Sequence, residues 1–448
     1  MNLQNELLNN KVYNRKELTD FIIALESKYN IVDETEKFSY LVNFSNNLNT
    51  PYHKWFRYRE GFAGKLVQDL ILKSGARKGE LIIDPFCGSG TVPVVSMLNG
   101  YAGLGIDINP LSAFITEVKT RFYSEGTLIK AVKFLEEMKS YKLDEEKIDS
   151  NDVKKFFHEA TFNKLSIIKC FIDALTDKDI KDLFLLSFIC IIEICSNRRR
   201  DGNGLKTLVS QIKDINAVFR IKLLEIISDI REEQPEESNK CYSFSASATD
   251  LYSIYSEIHT SDNLNAGAII FSPPYANSFN YFESYKMELV MGGFVSTIRS
   301  MKTLRSKAVR SFIGVKEQKN YDYYVDLIAK EIEESVPIKE KETGKRDNRT
   351  RKVPNMIKGY FYDMDQIIEQ CSFVLEKGKR CYIVIDQSSY LGKVIPSDLL
   401  FAYIGEKHNF EVSNILVCRK AMTSAQQLKK YPYLKNILRE SIVELIKL

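Results

Sequence analysis

The spacing of apolar residues along this 448-residue chain changes several times, and the changes divide it. At the start the period is helical, with Leu18, Phe21, Ile22 and Leu25 on one face. At Pro51 the texture shifts to the aromatic and basic run Tyr52-His53-Lys54-Trp55-Phe56-Arg57-Tyr58-Arg59, followed by Gly61. A short helix pattern follows through Leu66, Val67, Leu70 and Ile71. The run Leu81-Ile82-Ile83 then reads as a strand, ending in Asp84-Pro85-Phe86-Cys87-Gly88-Ser89-Gly90-Thr91. A helix over 92–98 and a strand over 102–106, closed by Asp107, complete the unit. Strand, glycine-rich turn, helix, strand is the opening of a parallel α/β sheet.

The sheet pattern then stops. From about Tyr123 to Glu236 the period is helical, with Leu165, Ile168, Phe171, Ile172 and Leu175 on one face, and the apolar run Leu183 to Ile192 reads as a buried helix. Strands resume over 242–248, closed by Asp250, and over 268–271, which leads into Ser272-Pro273-Pro274-Tyr275. Further strands are expected at 380–385, 411–417 and 441–446, making seven in all. No internal repeat is visible.

Composition narrows the class. Hydrophobic residues at 44% and charged residues at 27% exclude wholesale disorder, and 21 Gly with 11 Pro exclude collagen-like and low-complexity chains. A net charge of +4 names no partner, so any nucleic-acid surface must come from local clustering. The eight cysteines form no CxxC pair and the four histidines lie far apart, so no structural zinc is expected. The cysteines read as reduced core residues. The amino terminus lacks the basic-then-apolar order of a signal peptide, and the apolar run at 183–192 is shorter than the roughly twenty residues a bilayer requires. A cytoplasmic protein without membrane or metal is the expectation.

The glycine-rich turn lets backbone N–H groups and a helix amino terminus approach a ligand. Asp107, closing the next strand, suits a carboxylate that grips ribose hydroxyls. No GxxxxGK[ST] is present, and Pro93 stands where a nicotinamide-binding fingerprint has its third glycine. A nucleoside-bearing cofactor of another kind is the remaining functional reading, against an ordinary tight turn.

Ser272-Pro273-Pro274-Tyr275 directly follows an apolar strand. Its two prolines remove two N–H donors and stiffen the turn, leaving carbonyls free. A hydroxyl and a fixed carbonyl suit the two protons of a planar exocyclic amine, and an aromatic ring alongside can stack on the heterocycle. Alone, the motif is equally read as a rigid cap on a strand.

Together, Asp84 to Thr91 and Ser272 to Tyr275 resemble the motifs of the DNA amino-methyltransferases, which move a methyl group from S-adenosylmethionine to an exocyclic nitrogen. Ser at the head of the second motif is similar to the cytosine-N4-specific type, whereas adenine-N6 enzymes usually carry Asp or Asn there. The run from Trp55 to Gly61 and the tail segments Ser424-Ala425-Gln426-Gln427, Tyr431-Pro432 and Leu438 to Val443 also look familial. The resemblance implies an α/β fold with a Rossmann-like, seven-stranded methyltransferase sheet, a helical insertion and a smaller basic insertion. The expected segments are a helical 1–50, the cofactor motifs in 51–120, the helical insertion 121–240, the catalytic loop in 241–295, the basic insertion 296–356 as target-recognition region with the helical insertion as its rival, and the end of the sheet in 357–448.

By the same resemblance, Asp84, Phe86, Gly88, Gly90 and Thr91 would line the methionine part of S-adenosylmethionine. Asp107 would take the ribose hydroxyls with Asn109 beside it, and Asp250 would sit near the adenine amino group. Ser272 and the Pro273 carbonyl, in the loop with Pro274, would accept the protons of the target amine, and Tyr275 would stack on the flipped base. Direct displacement without a covalent base adduct is expected. A cytosine-C5 enzyme needs a Cys nucleophile after a Pro, and no Cys here follows a Pro.

Two basic clusters follow the catalytic loop. The first contains Arg299, Lys302, Arg305, Lys307, Arg310, Lys316 and Lys319, opposed only by Glu317. The second contains Lys345, Arg346, Arg349, Arg351 and Lys352. Either holds phosphates near the loop or is simply solvated surface. A third candidate is Asn197-Arg198-Arg199-Arg200-Asp201-Gly202. The expected partner is DNA, with a cognate restriction endonuclease as a candidate companion in a restriction–modification system. Adenine-N6 methylation, an RNA methyltransferase and a DNA-binding protein with a relic cofactor site are the alternatives.

Overall fold

The computed structural model describes residues 3–58, 61–141, 152–201, 204–208, 214–279, 281–316, 318–421 and 423–448. Its centre is an eight-stranded sheet. In chain order the strands are β1 (Ile31–Asp33), β2 (Leu81–Asp84), β3 (Ala102–Asp107), β4 (Cys241–Ser245), β5 (Ala266–Phe271), β6 (Arg380–Asp386), β7 (Phe410–Lys420) and β8 (Arg439–Lys447). Across the sheet they run β1-β7-β8-β6-β5-β2-β3-β4. All neighbours are parallel except β8, which is antiparallel to both β7 and β6. This mostly parallel sheet, flanked by helices, is a Rossmann-like methyltransferase architecture.

Seven of these strands coincide with the apolar runs of the sequence. The eighth, β1, corrects the purely helical reading of the first fifty residues. The helix Lys16–Lys28 forms there, but the chain then pairs Ile31, Val32 and Asp33 with Ile415, Leu416 and Val417. Three residues are too few to show a period of two, so only the distant partner strand specifies this one.

The order reverses between β2 and β5. From β2 the chain winds outward through β3 and β4, then returns to place β5 on the other side of β2, in the register Ile82 to Ala268 and Ile83 to Ile269. At such a reversal the loops leaving the two strands diverge and open a crevice beyond their carboxyl ends. The glycine-rich turn follows β2 and Ser272–Tyr275 follows β5. Adjacent parallel strands lie roughly 4.8 Å apart, so the two motifs must share one edge of the sheet.

Both faces of the sheet are covered. The helix Val353–Val374 buries Met356, Ile357, Tyr360, Met364 and Ile368 on one face, and Gly64–Ser74 buries Leu66, Val67, Leu70 and Ile71 on the other. The helix Tyr323–Thr343 buries Val325, Ile328 and Ile332 within the core that also holds Val353–Val374. The stretch 121–240 has its own apolar centre among the helices Glu125–Glu137, Glu159–Ala174, Lys178–Cys195 and Ile215–Glu232. Leu165, Ile172, Leu183, Phe184, Phe188 and Ile192 are fully buried there.

The aromatic run ties that helical block to the sheet. Trp55 Nε1 donates to Asp229 Oδ2 at 2.8 Å, Lys54 pairs with Asp229 Oδ1 at 2.9 Å, and the Tyr52 hydroxyl donates to the Glu233 carbonyl at 2.6 Å. None of the eight cysteines is in a disulfide bond, and all are buried or half-buried. Among the described residues no helix is long and apolar enough to cross a membrane, and no group of three His, Cys, Asp or Glu side chains could hold a metal ion.

Candidate active site

The turn after β2 is shaped by its glycines and carboxylates. Gly88 has φ +52° and Gly90 φ +84°, both in the left-handed region where a Cβ is strained. A Cβ on Gly88 would meet the Tyr58 ring at 2.7 Å, and one on Gly90 would meet Thr116 Oγ1 at 2.7 Å. Gly88 therefore lets an aromatic wall close over the turn, while Gly90 lets the turn settle on the helix Pro110–Lys119. That helix also sends the buried Lys119 ammonium to the Ser89 carbonyl at 2.9 Å. Burial pushes the Lys119 pKa down to about 7.

The two acids organise backbone donors. Asp84 Oδ1 accepts from the Phe86 N–H at 2.9 Å. Asp107 accepts from Gly88 N–H at 3.0 Å through one oxygen and from Asn109 N–H at 2.8 Å through the other. Burial raises the Asp107 pKa to about 6 against those hydrogen bonds. Burial, with Asp107 nearby, also holds Asp84 well above the usual carboxylate range. Asn109 caps its helix by accepting from Leu111 N–H at 3.1 Å, and its buried Nδ2 has no partner among the described residues. A slot with an unpaired donor, two carboxylates and a wall that admits no Cβ fits a ligand bearing hydroxyls and charged ends, as S-adenosylmethionine does.

The same slot reaches the second motif. It is lined by Asp84, Phe86, Gly88, Thr91, Asp107 and Asn109 from the first half of the sheet and by Ser272 and Pro274 from the second. Ser272 also lines a smaller neighbouring recess with Pro273, Tyr275, Arg419 and Glu440. Ser272 Oγ donates to the Tyr275 hydroxyl at 3.3 Å, which in turn donates to Glu440 Oε1 at 3.0 Å. Glu440 Oε2 is held by Arg419 Nε. Burial raises the Glu440 pKa, with Arg419 opposing, and raises that of Tyr275 beside Glu440 and Asp386.

Some expected residues stand elsewhere. Gly90 does not line the slot, because it serves the packing on Thr116. Asp250 does not line it either, though its neighbours Ser247 and Thr249 line a cleft that meets the slot at Ala308, Val309 and Phe312. That cleft carries Lys302, Arg305, Lys307, Arg310 and Lys316. Arg305 is paired with Glu283, and Arg310 grips Asp363 through Nε at 2.9 Å and Nη2 at 2.6 Å, so two of these cations are already engaged. Arg299 and Lys302 are exposed. In the second cluster Arg351 pairs with Glu340 at 2.9 Å, while Lys345, Arg346 and Arg349 are exposed. Arg59, Gly202 and Glu317 lie outside the described residues.

Arg200, from the third basic candidate, is buried rather than free. It pairs with Glu193 and Glu288 and donates from Nε to the Ser284 carbonyl at 3.0 Å. Its guanidinium lies 4.3 Å from the Tyr285 ring centroid, and Tyr285 stacks on Tyr58 with centroids 5.2 Å apart. The wall over Gly88 is thus backed by a cation from the helical block. Tyr58, Lys119 and Glu440 escape sequence reasoning because each acts on a segment remote in the chain, and Arg200 stands out in the sequence only as part of a basic run, without its internal partners. The signals were only partial, the aromatic run for Tyr58 and the familial tail for Glu440.

A family model described as DNA methylase matches residues 11–116, the segment that carries β2, its turn and β3. The chain is 29% identical to the Type II methyltransferase M.BsoBI of Geobacillus stearothermophilus, over 94% of this chain and 91% of that one. It is 26% identical to the Type II methyltransferase M.AvaI of Anabaena variabilis, over 84% and 83%. To the Type II methyltransferase M.MjaII of Methanocaldococcus jannaschii it is 31% identical, over 38% and 36%. These similarities support a DNA amino-methyltransferase, an enzyme, and S-adenosylmethionine is the methyl donor of that family.

Proposed function

We propose that this chain is a site-specific DNA methyltransferase that modifies the exocyclic N4 of cytosine after flipping the base out of the duplex. The observation that carries the reading is Ser272, which lines both the slot of Asp84, Gly88 and Asp107 and the recess of Pro273 and Tyr275. Ser at the head of that loop, where adenine-specific enzymes carry an acid or amide, favours cytosine.

When bound, S-adenosylmethionine supplies a methyl carbon made electrophilic by its sulfonium. Asp84, Phe86, Gly88 and Thr91 would hold its methionine part, with Gly90 shaping the turn. Asp107 would take the ribose hydroxyls, Asn109 Nδ2 would donate to the cofactor, and Asp250 would lie toward the adenine. Ser272 Oγ and the Pro273 carbonyl hold the protons of the target amine, freeing its lone pair to face the slot. The Tyr275 ring stacks on the base, its hydroxyl anchored by Glu440. A proton taken up by Ser272 Oγ has a path through that hydroxyl to the Glu440 carboxylate.

In this reading residues 296–356 form the recognition region. Arg299, Lys302, Lys345, Arg346 and Arg349 contact phosphates from outside, while Arg305, Arg310 and Arg351 brace the surface through their carboxylate partners. The enzyme works in the cytoplasm as the modification half of a restriction–modification pair, and an endonuclease reading the same site is its partner.

The test is to incubate the protein with mixed-sequence duplex and labelled S-adenosylmethionine, digest to nucleosides and identify the product by mass spectrometry. 4-Methylcytosine is expected. 6-Methyladenine would overturn the choice of base, and absence of any product the whole reading.

A further inference from the structure

A third cleft opens on the other side of the catalytic loop. It encloses about 600 Å³, within the roughly 300–1,000 Å³ typical of ligand sites. Asn277, two residues beyond Tyr275, stands on one wall, and Asp386 and Gln387, at the carboxyl end of β6, on another. The helix Ala425–Lys430 contributes Gln426 and Gln427, and the basic block contributes Lys339 and Arg349.

The chemistry of this lining is unusual in one respect. Gln387 is 2% exposed, and its Nε2 donates to Asp398 Oδ1 at 2.7 Å. Asp398 holds Arg439 through its other oxygen, Oδ2, and a carboxylate so paired accepts and does not donate, so the orientation of the amide is settled. Its Oε1 then has no partner among the described residues. Gln427 repeats the arrangement, with Nε2 donating to the Ser389 carbonyl at 2.8 Å and a buried Oε1 left without a partner among the described residues. Asp386 Oδ1 is also buried without a partner among the described residues, although burial and the neighbouring Glu440 push that carboxyl well above the usual carboxylate range and favour its protonated form. Buried acceptors normally find donors, and two amide oxygens left without one among the described residues, on side chains lining one cleft, call for a ligand that brings donors.

The cations on the cleft narrow the ligand further. Lys339 is tied to Asp347 and Lys430 to Glu342, but Arg349 is exposed and has no carboxylate partner among the described residues. Amine donors toward acceptor side chains, with negative charge toward a free guanidinium, describe a nucleotide. Exocyclic amines of bases bond to Gln and carboxyl side chains, while phosphate oxygens take Arg.

We propose that this cleft holds DNA bases flanking the target and reads their exocyclic amines through Gln387, Gln426 and Gln427, with Arg349 on a neighbouring phosphate. The proposal rests on the DNA-methyltransferase reading above. It names a surface separate from the slot, so the two can fail separately.

The test is single-turnover methylation of a pooled duplex library with randomised flanks, using the parent, Gln427→Leu and Arg349→Ala. Gln427→Leu should relax or shift the base preference at one flanking position by about tenfold, the effect of losing one such readout. Arg349→Ala should weaken binding several-fold for all sequences alike and lower the salt dependence by about one counterion. A parent-like flanking profile in Gln427→Leu, with parent-like salt dependence in Arg349→Ala, overturns the proposal while leaving the function standing. If Gln427→Leu does not fold, the exposed Arg349 decides alone, and a parent-like salt dependence there overturns it. No transfer to any duplex by the parent overturns both.

Discussion

The slot beside the glycine-rich turn and the cleft beyond the catalytic loop lie on the same edge of one sheet and are built in opposite ways. The slot is made largely of backbone. Its carboxylates are already engaged by N–H groups, its turn is possible only with glycine, and Tyr58 closes it tightly. The cleft is made of side chains, and the amide oxygens of Gln387 and Gln427 have no partner among the described residues. The first arrangement suits a ligand that never varies. The second suits one that differs between enzymes, because exchanging a Gln alters what is read without moving the chain. Damage to the slot should therefore abolish transfer to every DNA, and damage to the cleft should change which DNA is chosen.

The sharpest way to break this contrast is Gly88→Val. Strain at a positive φ and collision with Tyr58 each cost on the order of 1–3 kcal/mol, so S-adenosylmethionine affinity by calorimetry should fall roughly a hundredfold or more. Parent-like affinity would remove the slot as the donor site. Ser272→Ala should lower the single-turnover rate roughly 10- to 100-fold, from loss of a contact worth about 1.5–3 kcal/mol, with donor affinity unchanged. A fall in donor affinity instead would make Ser272 a slot residue only.

Glu440→Gln should cost less, roughly three- to tenfold in that rate, the size of one ordinary hydrogen bond. It should also flatten the acid side of the pH–rate profile. An unchanged profile would confine Glu440 to a structural part.

The smallest effect concerns pH. Asp107, raised by burial to about 6, must be ionised to accept from two hydroxyls. Donor affinity should therefore fall as pH drops through about 6, and Asp107→Asn should bind weakly but without that dependence. For folding the sign is the reverse of an ordinary carboxylate. Its neutral form is favoured in the native state, so its contribution to stability is complete below about pH 4 and is lost as pH rises through about 6.

Much of the sheet was legible because its strands are short apolar runs closed by an acid or a proline, as at Leu81–Asp84 and Ala266–Phe271. β1 was not, since its stability lies in pairing with residues nearly four hundred positions away. The slot was legible for a similar reason, because Asp84 to Thr91 and Ser272 are contiguous motifs on strands whose adjacency follows from the winding. Tyr58, Lys119 and Glu440 act through contacts between distant segments, and no local period records those. The basic runs were legible only in part. Charge is visible in a sequence but its partner is not, and Arg200, Arg305 and Arg310 prove to be committed to internal carboxylates.

That Arg200 props Tyr285, and Tyr285 the ring that seals Gly88, has a consequence for how such a protein can be rebuilt. The long helical block reaches by one guanidinium to within two rings of the glycine-rich turn, so it cannot be pruned or exchanged as a free-standing module. A shortened relative would need some other residue to prop that ring, and a graft taken from another enzyme would have to bring its own.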